Sequence, residues 1–314
     1  MLTRRGFLKG IASGAVAGLS LCGYAFAVEP YRLLTTHYAI TPPLWPRTLR
    51  LRIAMIADLH ACEPWMRLDQ IAAIVDRTND LKPDLVVLLG DFESRNRFVQ
   101  RPVPRAEWAR LLAGLKAPLG VHAVLGNHDW WDDWDAMARG GGPVVNRVAL
   151  ERAGIPVYEN DAVRLVKDGE PFWLAGLGDQ WAFWDRSPEH RRRFPHLWYE
   201  GVDDMQALLG RIGSDGPAIL LAHEPDVFAE VPDRFALQLS GHTHGGQVQF
   251  FGYAPKVPSR FGQRYVYGNI VENDRHLVVS GGLGCSVAPI RFGRPPEVVV
   301  VELGDVSSSV GAGA

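Results

Sequence analysis

The sequence predicts an α/β fold with a largely parallel or mixed β-sheet. Short apolar runs that are typical of buried strands alternate with segments whose apolar residues recur at helical spacing. Such alternation favours parallel strands that are joined by helices. Loops that carry Asp, Asn or His directly follow five of the predicted strands. Because ligands bind outside the carboxyl ends of strands in such sheets, we expect these loops to converge on one edge.

The composition is that of an ordinary globular protein. Of the 314 residues, 47% are hydrophobic and 22% are charged, and the formal net charge is −2. A chain so close to neutrality has no positive field that would attract a polyanion, so we expect no nucleic acid binding. The composition leaves the oligomeric state open.

Residues 1–27 are predicted to form a twin-arginine-type signal peptide. The segment begins with Arg4 and Arg5, continues as an apolar run and ends in an Ala-x-Ala site at Ala25 and Ala27. The predicted location is therefore the periplasm or the outer face of the cytoplasmic membrane. A membrane anchor that is never cleaved is the alternative, although the apolar run is short for a membrane span.

The folded domain is predicted at residues 49–304, after an extended, proline-containing lead-in at 28–48. Apolar patterning predicts strands at 49–57, 85–89, 119–125, 162–167, 171–177, 218–222, 235–239, 276–280 and 297–303. Helical spacing predicts helices at 67–80, 105–115 and 202–212. The tail at 305–314 is rich in Ser, Gly and Ala and is predicted to be disordered.

A set of polar residues at the predicted strand ends forms the candidate site. The set consists of Asp58, His60, Asp91, Asn127, His128, Asp129, His223, His242 and His244. Its mixture of carboxylate, imidazole and amide groups suits divalent Mn, Fe or Zn better than an all-oxygen calcium site or a thiolate site. The set contains more ligands than one metal ion needs, so two metal ions that share one carboxylate would use them.

Taken singly, each of these residues has another interpretation. An aspartate after a strand, such as Asp58 or Asp91, often caps a helix. An asparagine in a turn, such as Asn127, often bonds the backbone, and a solitary histidine such as His223 is often a satisfied core residue. Their joint occurrence at successive strand ends favours metal binding.

Five short motifs resemble, in order, the five signatures of the calcineurin-like metallophosphoesterases. They are Asp58-x-His60, Gly90-Asp91, Gly126-Asn127-His128-Asp129, His223 and Gly241-His242-x-His244. A single Gly-Asp pair is common, but five motifs in order are specific, and the resemblance covers roughly residues 50–303. The segments LAHEPD (221–226), SGHTHGGQV (240–248) and PIRFGRPPE (289–297) are similar to the exported or membrane-associated branch of YaeI- and YkuE-type phosphodiesterases.

The resemblance implies two packed mixed β-sheets flanked by helices, with a binuclear metal centre at the carboxyl ends of the strands. By the family pattern, one divalent ion would be bound by Asp58, His60 and His244, the other by Asn127, His223 and His242, and both by Asp91. A hydroxide between the two ions would attack the phosphorus of a phosphodiester or pyrophosphate. His128 would stabilise the phosphoryl group or protonate the leaving group, and Asp129 would hold its imidazole.

The nature of the phosphoester substrate is open at this stage. Two groups of aromatic residues are explained either by core packing or by an apolar rim that binds a lipid, a base or a membrane; they are Trp130, Trp131 and Trp134, and Trp173, Trp181, Phe183 and Trp184. The basic segment 191–193 is either a solvated turn or a contact for anionic lipid head groups. Arg291 is a candidate phosphate contact.

Two functions are compatible with these residues. Some members of the resembling branch act on UDP-2,3-diacylglucosamine, a glycolipid made on the cytoplasmic side, whereas the N-terminal segment here indicates export. A lipid-linked phosphoester is therefore one candidate substrate among several. The alternative to an enzyme that hydrolyses a phosphoester is a non-enzymatic, metal-binding envelope protein built on a phosphoesterase scaffold.

Overall fold

Two mixed β-sheets pack face to face, as predicted. The computed structural model describes residues 4–184 and 199–305. The first sheet has the spatial order β1 (Leu34–Ile40), β15 (Glu297–Leu303), β2 (Leu51–Ile56), β4 (Leu85–Leu89) and β6 (Val121–Val124). The second has the order β13 (Gly268–Glu272), β14 (Arg275–Val279), β12 (Phe235–Ser240), β11 (Ala218–Leu221), β8 (Glu170–Gly176) and β7 (Asp161–Lys167). Two short ribbons pair β3 (Cys62–Glu63) with β5 (Arg101–Pro102) and β9 (Phe183–Trp184) with β10 (Tyr199–Glu200).

Parallel strands form the centre of each sheet. In the first sheet β2, β4 and β6 run parallel, and in the second β8, β11, β12 and β14 do so. Antiparallel pairs flank these groups, since β15 runs antiparallel to β2, and β7 and β13 run antiparallel to their neighbours. The carboxyl ends of the central strands therefore lie at one edge of each sheet.

The alternation of side chains along each strand explains the layers. In β2, Ile53 and Met55 pack with Ile219 and Leu237 of the second sheet in the core between the sheets. Ala54 and Ile56 point the other way, into a separate core beneath the helices. Because successive side chains of a strand point to opposite faces, one buried strand contributes to both cores.

The helices are short except at the N-terminus. They are α1 (Arg4–Ala27), α2 (Leu68–Asp80), α3 (Arg105–Leu112), α4 (Asn127–Trp131), α5 (Trp134–Arg139), α6 (Val145–Arg152) and α7 (Met205–Leu209). Helices α2, α3 and α6 contribute Ile71, Trp108 and Leu150 to the core on the outer face of the first sheet. Helix α7 contributes Leu208 to the core on the outer face of the second.

The segment before residue 49 takes part in the first sheet. Residues Leu34–Ile40 form β1, which pairs in parallel with β15. The sequence indicates only an extended chain here, because β1 is half exposed and its strand pattern is weak. The sheet therefore begins earlier than the apolar pattern predicts.

The end of helix α1 contacts the folded domain. The backbone N–H of Arg291 donates to the carbonyl of Ala25 at 3.0 Å, and the ring of Tyr24 meets that of Phe292 edge-on. Within the described residues, no helix has the length and apolarity that crossing a membrane requires.

Two sequence-based expectations fall partly or wholly outside the described residues. The basic segment 191–193 lies outside them, as does the tail after Asp305. Cys62 and Cys285 lie within them, and both are buried free thiols.

Candidate metal centre

The polar loops that follow five strands meet at one end of the two sheets. Asp58 and His60 follow β2, Asp91 follows β4, Asn127 follows β6, His223 follows β11, and His242 and His244 follow β12. All seven residues are buried, the most accessible being His242 at 6%. The loops thus converge as expected, and they bring side chains from both sheets into one cluster.

Five of these seven residues have left-handed backbone conformations. The φ angles are +53° at Asp58, +48° at His60, +57° at Asp91, +67° at His242 and +53° at His244. Residues with a Cβ rarely adopt this region, and each such residue costs about 1–3 kcal/mol. Clustered backbone strain of this kind is typical of functional sites, where the surrounding structure imposes it.

Close packing of the backbone brings the second loop against the third. A Cβ added to Gly126 would stand 2.5 Å from Oδ1 of Asp91 and 2.6 Å from Cε1 of His223. Only a glycine fits at that position, because any side chain would displace two of the predicted ligands.

A first group of potential metal ligands consists of Asp58, His60, Asp91 and His244, whose ligand atoms lie within 4.8 Å of one another. Nε2 of His60 is 3.1 Å from Nε2 of His244 and 3.4 Å from Oδ2 of Asp91. Nε2 of His244 is 3.6 Å from Oδ1 of Asp58. Two imidazoles and two carboxylates therefore point at a common centre.

A second group lies beside the first and shares Asp91 with it. Nε2 of His223 is 3.4 Å from Oδ2 of Asp91, the same oxygen that faces His60. Nδ1 of His242 is 2.9 Å from Oδ1 of Asn127. This arrangement matches the expectation that Asp91 lies between two metal positions.

Glu224 belongs to the second group, and the sequence motifs do not mark it. Its ligand oxygen lies within 4.8 Å of the ligand nitrogens of His223 and His242, and its side chain is fully buried. It follows His223 directly and precedes Pro225, whose ring favours the extended backbone that Glu224 adopts. The sequence offers one signal that could identify Glu224 as a site residue, namely its position directly after the predicted ligand His223.

Burial keeps three of the four clustered histidines neutral, whereas at His223 the neighbouring Asp91 outweighs burial and raises the pKa well above its usual value. Burial lowers the pKa of His60 to about 4 and that of His242 to about 3. Burial, with the neighbouring His60 and Arg291, also holds the pKa of His244 well below its usual value. These three imidazoles are therefore neutral near pH 7, the form that binds metal ions.

The carboxylates show the complementary effect. Burial raises the pKa of Asp58 to about 7, because the interior disfavours its negative charge. Burial opposes the ionised form of Asp91 as well, but His223, His128 and His60 outweigh it and hold the pKa well below the usual range. Divalent cations fit this donor set, since they would compensate the buried carboxylates and separate imidazole nitrogens that otherwise face each other.

The structure corrects the role expected of Asp129. Its carboxylate accepts the backbone N–H groups of Asp91, Phe92 and Gly126 at 2.9–3.0 Å and the side-chain amide of Asn146 at 2.8 Å. The prediction that it holds the imidazole of His128 is wrong, because both carboxylate oxygens of Asp129 face backbone N–H groups of the loops after β4 and β6. Asp129 stabilises the loops rather than the imidazole.

His128 stands at the mouth of the cluster with 23% of its side chain exposed. Its backbone N–H donates to Oδ1 of Asp91 at 2.8 Å. Its Nδ1 lies 3.6 Å from Oδ2 of Asp132, and its Nε2 lies 3.4 Å from Oγ of Ser286. Asp132, one helical turn after His128, therefore takes the position that the sequence assigns to Asp129.

Arg291 is not available to a phosphate group. Its side chain is fully buried and donates to the carbonyl oxygens of Gly281, Gly284 and Arg294. Its Nη2 lies 3.3 Å from Nδ1 of His244. The residue thus supports the loop behind a predicted ligand, which corrects its interpretation as a substrate contact.

A row of stacked aromatic side chains, the aromatic wall, extends outward from the cluster. The wall consists of Trp131, Trp181, Trp184 and Tyr199. Its inner end contacts the site, because the Trp181 ring lies 4.6 Å from that of His242 and the Trp131 ring 5.2 Å from that of His128. At its outer end Trp184 is 42% exposed. Trp130, by contrast, is buried in the core.

Comparison with known proteins identifies the family. The model for calcineurin-like phosphoesterases matches residues 51–246, which include all five motifs. The chain is 31% identical over 313 residues to the uncharacterized metallophosphoesterase YkuE of Bacillus subtilis (strain 168), covering 96% of this chain and 98% of YkuE. It is 28% identical over 313 residues to the phosphodiesterase YaeI of Escherichia coli (strain K12), covering 96% and 100%.

A vertebrate relative shares the same region. The transmembrane protein with metallophosphoesterase domain of Danio rerio is 29% identical over 305 residues, which are 91% of this chain and 60% of that protein. The family match includes every loop that contributes a side chain to the metal-binding cluster. The chain belongs to the calcineurin-like phosphoesterase family, whose members hydrolyse phosphoesters with two divalent metal ions.

Proposed function

We propose that this protein hydrolyses a phosphodiester or pyrophosphate bond in a substrate that carries an apolar group, such as a lipid-linked ester or a glycolipid. The observation that carries this proposal is the aromatic wall, which begins at two histidines of the site and ends at the surface. Phosphodiester hydrolysis is also supported by the relative YaeI, which is named a phosphodiesterase.

The reaction would use residues on both sides of the phosphoryl group. Two divalent ions, when bound, polarise phosphoryl oxygens and lower the pKa of water towards neutrality. Asp91 lies between the two ligand groups and is fixed by the N–H of His128. His128 itself, partly exposed at the mouth, is placed to donate a proton to the leaving oxygen, and Asp132 orients its ring.

The aromatic wall would receive the apolar part of the substrate. Rings that are stacked and only partly exposed offer a broad apolar surface without the loss of side-chain entropy that flexible residues incur. An acyl chain lying along Trp184 and Trp131 would place its phosphoester next to His128. UDP-2,3-diacylglucosamine is one substrate with the required chemistry.

The proposed location is the periplasm or the outer face of the cytoplasmic membrane. The support is the sequence of residues 1–27, with its arginine pair and its Ala-x-Ala site. Expression of the full chain followed by N-terminal sequencing of the fractionated product tests this proposal. Recovery of uncleaved protein in the cytosolic fraction alone would contradict it.

The substrate proposal is tested with two matched pairs of substrates, each with an acylated and an unacylated member. Protein loaded with Mn²⁺ is assayed on UDP-2,3-diacylglucosamine and UDP-N-acetylglucosamine as the first pair. Lysophosphatidylcholine and glycerophosphocholine form the second pair. We expect a lower KM for the acylated member of a pair. In Trp184→Ala this difference should shrink, because the outer ring of the wall is removed.

The control is Trp173→Ala. Trp173 lies in the middle of β8, three residues before the end of that strand, and its indole N–H donates to Asp215. This variant should keep the preference for the acylated substrate. Equal KM values for acylated and unacylated substrates would overturn the proposal, and metal uptake without turnover on any phosphoester would favour a non-enzymatic envelope protein.

A further inference from the structure

Glu224 is a buried carboxylate beside the second group of ligands. Its side chain is fully buried, and Oε2 accepts the backbone N–H of Gln180 at 3.2 Å. No N–H group among the described residues donates to Oε1, and the carboxyl group of Asp179, whose pKa burial and Glu224 raise well above its usual value, lies in hydrogen-bond contact with Glu224. A buried, ionised carboxylate costs several kcal/mol unless a positive charge is nearby, and a metal ion would supply that charge.

Oε1 of Glu224 faces the second half of the metal centre, which consists of Asn127, His223 and His242 with the shared Asp91. Oε1 lies 3.9 Å from Nδ1 of His242, the same nitrogen that is 2.9 Å from Oδ1 of Asn127. The ligand atoms of Glu224, His223 and His242 all lie within 4.8 Å of one another. Ions that bind oxygen and nitrogen at about 2.0–2.2 Å can bridge ligand atoms up to about 4.4 Å apart, so the 3.9 Å between Oε1 of Glu224 and Nδ1 of His242 fits a single ion.

The distribution of carboxylates between the two halves of the metal centre also supports a role for Glu224 as a ligand. The first half contains its own carboxylate, Asp58, in addition to the shared Asp91. Without Glu224 the second half would offer only a neutral amide and two imidazoles besides Asp91. Glu224 gives the second ion a carboxylate of its own and makes the two halves alike in charge.

We propose that Glu224 is a ligand of the second metal ion, together with Asn127, His223, His242 and the shared Asp91. The inference rests on the two-metal centre of the proposed function and not on the substrate. Asp179, buried beside Glu224, holds the local backbone by accepting the N–H of Trp181 at 2.8 Å and acts as a positioning residue. A carboxylate in this place favours a hard ion such as Mn²⁺ in the second position.

The test measures metal binding directly, so it does not depend on turnover. Metal-free wild type, Glu224→Gln and Glu29→Gln are titrated with Mn²⁺ by calorimetry, and electron paramagnetic resonance is used to detect spin coupling between two Mn²⁺ ions. Glu29→Gln is the matched control, because Glu29 is equally buried but bonds the backbone N–H of Arg294.

The variants should separate the two ions. In Glu224→Gln we expect the first Mn²⁺ to bind as in wild type, the second to bind at least about 10-fold more weakly and the coupled signal to be lost. Glu29→Gln should bind both ions normally, and Asp179→Asn should weaken only the second ion, by less than Glu224→Gln does. If Glu224→Gln does not fold, as judged by circular dichroism, Glu224→Asp gives the same comparison with the charge retained and the reach shortened.

Two results would overturn the assignment. The first is that Glu224→Gln, or its Asp replacement, binds two Mn²⁺ ions with affinities within about twofold of wild type. The second is that both ions weaken together, which would place the effect of Glu224 outside the second position. Failure of the substrate proposal leaves both readouts unchanged, because neither requires a phosphoester.

Discussion

Nε2 of His60 lies 3.1 Å from Nε2 of His244, although the two residues are 184 positions apart and belong to different sheets. Burial keeps both rings neutral, so no charge attraction holds them together. Each faces a carboxylate, Asp91 or Asp58, at 3.4–3.6 Å. A cation is the natural partner of all four groups, and it would join the two sheets.

Metal removal should therefore lower stability as well as activity. Each ion present at 100 times its dissociation constant contributes about 2.7 kcal/mol, which corresponds to a rise in Tm of about 5–10 °C. Thermal unfolding of the chelated protein, with and without added Mn²⁺, measures the shift. It should be smaller in Asp58→Asn, and an identical Tm in both conditions would contradict the prediction.

Asp91→Asn should abolish turnover, because Oδ2 of Asp91 lies 3.4 Å from Nε2 of His60 in the first group and 3.4 Å from Nε2 of His223 in the second. We expect the rate on bis-p-nitrophenyl phosphate to fall by more than the roughly 10–100-fold that loss of an outer partner causes. The control is Asp135→Asn at an exposed position in the first turn of α5, which should keep the wild-type rate. Normal turnover by Asp91→Asn would exclude the two-metal mechanism.

His128→Ala should slow hydrolysis in a way that depends on the leaving group. A proton donor contributes about 10²–10⁴-fold when the leaving oxygen is a poor one, and much less for p-nitrophenolate, which leaves without a proton. The measurement is kcat for an alkyl and a p-nitrophenyl phosphodiester in the same variant. Equal losses for both substrates would show that His128 acts on the phosphoryl group instead. Asp132→Asn should show the same trend to a smaller extent, because it leaves the imidazole in place.

Asp129→Asn should act mainly on stability. One carboxylate satisfies three backbone N–H groups and the Asn146 amide, and an amide side chain cannot accept from all four. Each buried donor left without a partner costs about 1–3 kcal/mol. Urea unfolding of Asp129→Asn and Asp132→Asn compares the two positions, and we expect a loss only for the first. Equal stability of both variants would show that the Asp129 network is dispensable.

The sequence predicted the central strands well and the edges less well. The strands predicted at 85–89, 218–222 and 297–303 agree closely with β4, β11 and β15, because they are buried on both faces and read as continuous apolar runs. Edge strands carry a weaker signal, so the sequence indicates only an extended lead-in at β1 and does not predict β13. Helices α5 and α6 were also missed, since they are short and only one or two residues of each face the core.

In the candidate site, the sequence predicts which residues lie together but not the contacts between their side chains. The motifs predicted which residues gather, because position at the end of a parallel strand fixes where a loop lies. They do not predict which neighbour each side chain contacts. The sequence therefore assigns the contact with the His128 imidazole to Asp129, whereas Asp132 makes it. Contacts between loops depend on backbone angles such as the positive φ of Asp91, which the residue type does not reveal.

The position of β15 has a consequence for how the chain is made. This strand follows β2 by more than 240 positions, yet it lies between β1 and β2 in the first sheet. At about 5–20 residues per second, a ribosome needs roughly 12–50 s to synthesise the intervening chain. During that time the N-terminal segment has already emerged, while β1 and β2 each have an unpaired edge that is open to aggregation. If the twin-arginine-type segment proposed above directs export only after folding, its recognition has to wait until β15 has been inserted.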